Sequence, residues 1–235
     1  MHRTAYLLLA DGRFPSGGHA HSSGLEAAVA AGRVTDLAGL EQFLHGRLSY
    51  AAPVTAAFTA ATHLSAARTG SAPSATESDV TVPFLSLDRE LEARTVSPAL
   101  RLASRRQGRA LLRAGRNTWP SELYGQLPKH PDGPHQPLAL GVTAAAAGLS
   151  TEEAAQIAAY GVLTGPASAA VRLLGLDPYQ VQNLLARMAG ACDEIAAAAA
   201  AVAHKSPQEL PAHAAPLADI SAELHATWEV RLFAS

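Results

Sequence analysis

His19 and His21 are the first residues whose type and spacing suggest chemistry, because both lie on a glycine-rich loop near the start of the chain. Imidazole nitrogens bind transition metals, so the two rings could contribute to a metal site. Alternate positions at the start of a helix do not converge well on one ion, and no third Cys, His, Asp or Glu is spaced nearby to complete a ligand set. The spacing therefore predicts no metal site, and it favours a role in contacting a partner or ordering the loop.

Cys192 is the single cysteine of the chain, and its thiol could act as a metal ligand or a nucleophile. It lies on a stripe of apolar residues that begins at Val181 and recurs with helical spacing. A buried free cysteine commonly behaves as a small hydrophobic residue, so we predict that Cys192 belongs to the core. A lone cysteine also excludes an internal disulfide and fits a reducing compartment such as the cytoplasm.

Four arginines recur every four residues and would form a ridge along one side of a helix: Arg101, Arg105, Arg109 and Arg113. The ridge could be an ordinary solvated face, or it could dock an acidic surface of a partner. It could also bind nucleic acid, but it lacks aromatic residues for base stacking and the chain carries a net charge of −2. The sequence predicts no nucleic-acid binding and leaves the first two interpretations open.

Motifs for catalysis by the chain itself are missing from the sequence. It has no Gly-x-x-x-x-Gly-Lys-Ser/Thr phosphate-binding loop and no serine in a Gly-x-Ser-x-Gly turn. The carboxylates near the N-terminus form no pair with a spacing suited to acid–base catalysis. We therefore predict no catalytic residues and no cofactor. The alternatives are a metal-dependent enzyme that uses His19, His21 and His225, and a binding module built on the basic ridge.

Composition and helix signals predict an all-α protein, a single-domain compact helical bundle that spans residues 1–235. Alanine, the strongest helix former, supplies much of the 48% hydrophobic fraction, and aromatic residues make up only 5%. Ser150 and Glu153 have capping-box spacing, and Asp177 precedes a proline as an N-cap residue would. The predicted helices include residues at about 82–94, about 98–116 and the stretch after Asp177.

Two prolines are predicted to interrupt helices. Pro53 is expected to start a new helix, and Gly165-Pro166 is expected to break or kink the helix that follows Ser150.

No apolar stretch has enough bulk to span a bilayer. The segments between helices are predicted to be a flexible loop at about 69–79, a proline-rich connection at about 127–137 and a C-terminal docking tail at about 229–235.

The glycine loop and the chain end are the predicted interaction surfaces. Gly17 and Gly18 follow Pro15, and each is expected to adopt positive φ or to allow close approach of another surface. The chain end carries aromatic residues, a Leu and an Arg, which are residue types that anchor interfaces. We expect it to dock onto a partner rather than pack on its own core. The predicted partner-binding residues are Phe14, Pro15, Gly17, Gly18, His19, His21, Ser22, Arg231, Leu232 and Phe233.

The segment 15–26 resembles the signature of the UreF family of urease accessory proteins. Residues at the main signature positions are Pro15, Gly17, Gly18, His21, Ser22, Gly24, Leu25 and Glu26. His19 stands where the family usually has Phe or Tyr, and Ala234 replaces an Arg common near the family's C-terminus. Segments 106–112, 135–141 and 231–235 resemble further family segments in the same order, so the resemblance covers almost the whole chain.

This resemblance implies an all-α protein that has no catalytic activity of its own and tends to dimerise. UreF-like proteins bind a second accessory protein, UreD (also called UreH), and that complex recruits the GTPase UreG to the urease apoprotein. The resemblance therefore implies a cytoplasmic chaperone for nickel insertion. Its implied partners are UreD/UreH, UreG and the urease apoprotein, with neither nucleic acid nor membrane among them.

Overall fold

The computed structural model describes residues 3–70 and 77–235, and within these ranges all regular elements are helices. The predicted all-α class is confirmed. Short 3-10 turns at Gly18–Ala20, Glu122–Gln126 and Pro207–Glu209 lie between the longer elements. The α-helices are α1 (Arg3–Ala10), α2 (Leu25–Ala30), α3 (Leu37–Gly70), α4 (Glu77–Arg94), α5 (Pro98–Thr118), α6 (Gln136–Ala146), α7 (Thr151–Leu174), α8 (Pro178–Val202) and α9 (Pro216–Ala226).

Local capping sets the starts of α7 and α8, as the sequence predicts. The Ser150 hydroxyl oxygen accepts the Glu153 amide at 3.1 Å, and the Glu153 carboxylate accepts the Ser150 amide at 2.7 Å. The Asp177 carboxylate accepts the Tyr179 amide at 2.9 Å, with Pro178 as the first residue of α8. Both caps satisfy amides that have no partner inside the helix, so these starts are fixed by nearby residues.

Pro53 lies inside α3, so the prediction that it starts a new helix is wrong. α3 is 34 residues long, and residues on both sides of the proline are fully buried, among them Ala52, Ala56 and Phe58. A proline inside a helix costs about 3 kcal/mol because it removes a hydrogen bond and crowds the preceding turn. Burial of the flanking side chains against other helices offsets that cost. α7 likewise continues through Pro166, so of the two expected effects, a break or a kink, the break does not occur.

The segments between helices agree in part with their predicted bounds. In the loop predicted at about 69–79, residues 71–76 lie outside the described residues. Thr69 and Gly70 belong to α3, and α4 begins at Glu77, so the ends of that segment are helical. The proline-rich connection predicted at about 127–137 lies between the second 3-10 turn and α6, which begins at Gln136.

Two apolar clusters form the core, and α3 and α7 contribute to both. The first contains Phe58 of α3, Phe84 of α4 and Leu138 of α6. The second joins the first half of α3 to α2, α7 and α8, and it includes Leu184 and Cys192 of α8. Cys192 is therefore a core residue, as predicted, and burial raises the pKa of its thiol.

α7 is long and apolar enough to cross a membrane by length and composition alone, contrary to the prediction that no apolar stretch has enough bulk to span a bilayer. Half of its apolar window is buried inside the protein. α7 packs against both α3 and α8 and supplies residues such as Ala158 and Leu163 to the two clusters. Its apolar character therefore matches its position as a core helix.

Candidate partner-binding site

The glycine loop between α1 and α2 is shaped by two glycines in the left-handed region. Gly17 has φ of 78° and precedes the first 3-10 turn, and Gly24 has φ of 90° and precedes α2. A side chain at either position would be strained by that φ. Gly18 has no positive φ, and an added Cβ would meet only a serine hydroxyl at 3.8 Å. Positive φ is therefore confirmed for Gly17 and is not found at Gly18, where close approach of a partner surface stays a prediction.

The C-terminal tail lies against this loop and is bonded to its backbone. The amides of Ser22 and Ser23 donate to the main-chain oxygen of Ser235 at 2.7 and 3.2 Å. The Ser22 hydroxyl donates to the same oxygen at 2.9 Å, although the two residues are 213 positions apart. The Ala234 amide donates to the carbonyl of Ala20 at 2.8 Å. The tail thus packs on its own chain, contrary to the sequence-based expectation.

The two histidines of the loop have different surroundings. His21 is buried, and its Nδ1 shares a hydrogen bond with the Ser235 hydroxyl at 2.7 Å. Burial, together with the positive charge of Arg106, lowers the pKa of His21, so its ring is neutral at neutral pH. His19 is exposed, and its carbonyl accepts the guanidinium of Arg172 at 3.1 Å. His21 therefore orders the loop, whereas the ring of His19 is at the surface.

Glu26 of α2 binds the tail and α9 at the same time. Its buried carboxylate accepts the amides of Leu232 and Phe233 at 2.8 and 3.1 Å and the Nε2–H of His225 at 2.9 Å. Burial by itself would raise the pKa of Glu26, but the Leu232 amide, the His225 ring and the Phe233 amide together lower it below its ordinary value. One ionised carboxylate thus fixes three donors from two elements, a role that sequence reasoning missed.

Phe233 is only 4% exposed and belongs to the second apolar cluster. The guanidinium carbon of Arg172 lies 4.5 Å from the centroid of its ring, a distance at which a cation is attracted to an aromatic face. The expectation that Phe233 packs on a partner rather than on its own core is therefore wrong. The physical reason is that Glu26 binds the amides of residues 232 and 233, which holds the tail against α2 where this ring can be buried.

The remaining predicted partner-binding residues differ in exposure. Phe14 is half-buried and stacks on Trp119 at a centroid distance of 5.6 Å, which ties the loop to the end of α5. Ser22 is fully buried under the tail. The exposed members of the set are Pro15, Gly18, His19, Arg231 and Leu232. For these five residues, binding of a partner stays a prediction.

α9 has its apolar residues on the outside, a feature that sequence reasoning missed. Ser221 and His225 are buried, whereas Leu217, Ile220 and Leu224 are 59%, 58% and 60% exposed. These three positions are three and four residues apart and so share one face of the helix. A surface helix usually shows the reverse arrangement, with its apolar face buried. We call Leu217, Ile220 and Leu224 the α9 stripe.

Polar contacts attach α9 to the rest of the protein. Besides the bond from His225 to Glu26, the carboxylate of Glu223 accepts the Ala99 amide at 2.9 Å and the Ser97 hydroxyl at the start of α5. These bonds are directional and act at both α2 and α5. They therefore fix the rotation of the helix about its own axis, with the α9 stripe turned to solvent.

The arginine ridge of α5 divides into a paired half and an unpaired half. Arg105 is buried and forms ion pairs with Asp88 at 3.0 Å and Glu92 at 2.6 Å, and Arg101 pairs with Glu92 at 3.0 Å. The solvated-face interpretation is therefore wrong for Arg105, because α4 supplies carboxylates to it. Arg109 is exposed, and among the side chains that the structure describes, those of residues 4–69 and 83–235, it forms no ion pair with a carboxylate.

Within the part of the chain that the structure describes, no group of three His, Cys, Asp or Glu could hold a metal ion. The ring of His21 is bonded to Ser235, and the ring of His225 is bonded to Glu26. These contacts give no support to the alternative of a metal-dependent enzyme built on His19, His21 and His225. The absence of a resident metal stays a prediction.

Comparison with known proteins identifies the family. The family model named UreF matches residues 34–189. The chain is 40% identical to the urease accessory protein UreF of Mycobacterium sp. (strain JLS) over 232 residues, which cover 99% of this chain and 98% of that protein. Over 229 residues it is 40% identical to UreF of Mycolicibacterium vanbaalenii and 41% identical to UreF of Mycobacterium marinum, with 97% of each chain covered. The chain belongs to the UreF family.

Membership of the UreF family confirms the resemblance found in the sequence. The family match ends before α9 and begins after the glycine loop, so the tail and the loop lie outside it. The alignments with UreF relatives cover 97–99% of this chain and so extend beyond that match on both sides. The glycine loop and α9 therefore lie within the region that this chain shares with these UreF proteins.

Proposed function

We propose that this UreF-family chain is a non-catalytic accessory protein that helps to insert nickel into the urease apoprotein by binding other maturation proteins. The proposed partners are UreD/UreH, the GTPase UreG and the urease apoprotein, in the cytoplasm, and the chain is proposed to form a homodimer. Nickel is the cargo of this assembly. The proposed role of this chain is to hold the other proteins together. The α9 stripe is the observation that carries the proposal.

The α9 stripe supports a protein-binding role because its exposure is fixed by the structure. Burial of apolar surface stabilises a protein or a complex by about 25 cal/mol for each Å² removed from water, and the exposed stripe lacks this stabilisation. Single exposed apolar residues are common on proteins, whereas a group on one helix face marks an interaction site. The polar contacts of His225 and Glu223 prevent α9 from rotating to bury the stripe. We propose that a second protein covers it.

The tail extends the proposed surface beyond α9. Val230 and Leu232 are 84% and 75% exposed, and the backbone amide of Leu232 is held by Glu26. Side chains that project from a fixed backbone lose less conformational entropy on binding than those of a free chain end. We call the α9 stripe together with Val230 and Leu232 the tail face, and we propose that UreD/UreH binds it.

The proposal is tested by the affinity of purified UreD/UreH for the variant Ile220→Glu, which places a charge at the centre of the α9 stripe. Loss of a central interface anchor costs about 2 kcal/mol or more, so we expect the dissociation constant to rise at least about tenfold. The matched control is Tyr179→Glu, which adds the same charge at an 81% exposed site on α8. Circular dichroism checks that both variants keep their helices.

Unchanged affinity in a folded Ile220→Glu protein would overturn the proposal for the tail face. Equal weakening by Ile220→Glu and Tyr179→Glu would assign the effect to overall charge instead. The same two variants are then expressed at matched levels in cells that lack the native chain. We expect lower urease activity with Ile220→Glu than with Tyr179→Glu. Light scattering on the purified chain measures the proposed homodimer directly, and a constant monomer mass across concentrations would refute it.

A further inference from the structure

A cleft of about 410 Å³ lies between the second half of α5 and the proline-rich connection. Arg109, Leu112 and Arg116 line it from α5, and their spacing of three and four residues places them on one helix face. The opposite wall is formed by residues within 124–134. This cleft shares no residue with the tail face, and Arg109 is ten residues from the part of α5 that contacts α9, which is about 15 Å along the helix.

The floor of the cleft is apolar and rigid. Tyr124 and Leu127 are buried in the first apolar cluster, and prolines at positions 128, 131 and 134 restrict the backbone of the wall. Gly133 lets this wall reach the helix, because it has φ of 98° and an added Cβ would lie 2.6 Å from the Cβ of Arg109. The cleft is therefore shaped before any ligand arrives, which lowers the entropic cost of binding.

The rim of the cleft carries positive charge from α5 and from the wall. Arg109 and Arg116 are exposed, and each makes one long bond of 3.4 Å to a backbone carbonyl, that of Pro131 or Tyr124. Lys129 adds a third cation. None of the described residues that line the cleft is acidic. A guanidinium has five N–H donors, so most of the hydrogen-bonding capacity of both arginines is open to a ligand.

The acidic residue of the wall segment, Asp132, does not line the cleft. Its carboxylate lies 4.0 Å from the Nδ1 of His130, which is beyond hydrogen-bond distance. The Asp132 amide donates to that ring nitrogen at 3.1 Å. This local turn differs from the buried network around Arg105, where two carboxylates of α4 satisfy the guanidinium. Along one helix, therefore, Arg105 is neutralised inside the protein, whereas no described carboxylate pairs with Arg109 or Arg116.

We propose that this cleft binds an extended acidic peptide segment of a partner protein, with two carboxylates about three residues apart and an apolar side chain between them. Arg109 and Arg116 are separated by two helical turns, or about 10 Å. A segment in the extended polyproline-II form has three residues per turn and rises about 3.1 Å per residue. Carboxylates three residues apart then lie on the same side of the peptide, about 9 Å apart, and so match both guanidiniums. The apolar side chain between them lies over Leu112 and Leu127.

The chemistry of the cleft favours this ligand over two others. A single phosphate ion is too small to reach two guanidiniums about 10 Å apart along the helix. Single-stranded nucleic acid binds through stacking of its bases on exposed aromatic rings, whereas Tyr124, the aromatic residue of this cleft, is buried. Paired arginines bind carboxylates with bidentate geometry, and the apolar floor suits a side chain of a peptide. The site goes beyond the proposed function because it adds a second surface with its own specificity.

The test uses the purified full chain and a short fluorescein-labelled peptide in which two glutamates flank a leucine and an alanine. Fluorescence anisotropy measures its affinity for the native chain and for the double variant Arg109→Gln, Arg116→Gln. Each charge-assisted hydrogen bond contributes enough to binding that we expect the double variant to bind at least about tenfold more weakly. The matched control is Arg106→Gln, Arg113→Gln, which removes the same charge from exposed positions on α5 that do not line the cleft.

The proposal predicts that the control variant binds the peptide within about twofold of the native chain, because it leaves the lining intact. It also predicts that a peptide with glutamines in place of glutamates does not bind. Equal weakening in both double variants, equal binding of the glutamine peptide, or no binding by the native chain would each overturn it. Inorganic phosphate or a single-stranded oligonucleotide could displace the labelled peptide at a lower concentration than unlabelled peptide does. That result would overturn the proposal and make that anion the ligand of the cleft.

Discussion

α8 and α9 carry the same sequence signature and have opposite outcomes. In α8, apolar residues at helical spacing are buried, and Leu184 is fully inaccessible. In α9, the residues of the equally regular α9 stripe are exposed to solvent, whereas Ser221 and His225 are buried. The difference lies in what faces each helix: α8 packs on α3 and α7, whereas the inner face of α9 meets the charged Glu26. Periodicity identifies an apolar face, but the neighbouring element decides whether that face is covered.

The largest expected effect is a difference between the two stripes in how much one leucine contributes to the free energy of unfolding. Leu184→Ala removes a fully buried side chain and is expected to lower the free energy of unfolding by about 2–5 kcal/mol. Leu224→Ala removes an exposed side chain of the same type and is expected to change it by less than about 0.5 kcal/mol. Urea denaturation of the two variants measures both values. A similar loss in the two variants would break the comparison, because α9 would then be covered in the free chain.

A smaller effect is expected at Glu26, which holds α9 in place of apolar burial. Glu26→Ala leaves the amides of Leu232 and Phe233 and the ring of His225 without an acceptor, and a buried unsatisfied group costs about 1–3 kcal/mol. We expect a loss in that range or somewhat above it in urea denaturation. Glu229→Ala, which removes an exposed carboxylate of the same segment, is the control and is expected to be neutral. Equal stability of the two variants would show that Glu26 is not the attachment point.

The attachment of α9 and the tail is also expected to depend on pH. Because the pKa of Glu26 is lower in the folded chain than its ordinary value, its contribution to stability is present above about pH 5 and is lost as the pH falls below about 4. Amide protection of Leu232 and Phe233 in hydrogen exchange follows this loss. The profile of Glu26→Gln is expected to be flat over the same range, since glutamine does not titrate. A native profile that is equally flat would contradict the assignment.

The smallest expected effect is a difference in thermal stability between substitutions at two adjacent glycines, Gly17 and Gly18. Gly17→Ala places a Cβ at φ of 78° and is expected to cost about 1 kcal/mol, whereas Gly18→Ala has ordinary φ and open space. Thermal unfolding is expected to show a lower midpoint for Gly17→Ala and an unchanged or slightly higher one for Gly18→Ala. If both substitutions lower the midpoint equally, the loop conformation does not depend on positive φ at position 17.

The sequence predicts those parts of the fold whose causes are local. The capping box at Ser150, the N-cap at Asp177 and the extent of α5 all depend on residues within one or two turns, and all were predicted. The apolar stripe of α8 was also predicted as core. These features need no knowledge of which helices are neighbours in space.

The missed features depend on partners that are distant in the sequence. Arg105 is buried because Asp88 lies opposite it, and Phe233 is buried because Glu26 binds the tail from 207 positions away. Pro53 remains helical because other helices pack around it. The pattern of α9 was readable as a stripe, but no sequence rule says that Glu26 takes the inner side. Sequence therefore identified the loop and the tail as important, and only the structure shows that they bind each other.

The double attachment of Glu26 has a consequence for cooperativity. His225 brings α9 to this carboxylate, and the amides of Leu232 and Phe233 bring the tail, so any movement that breaks one bond weakens the support of the other. Two molecules that bind α9 and the tail separately would both stabilise this carboxylate in place. Thermodynamic linkage then makes the effect reciprocal: each ligand raises the affinity of the other by the same factor, with no contact between them.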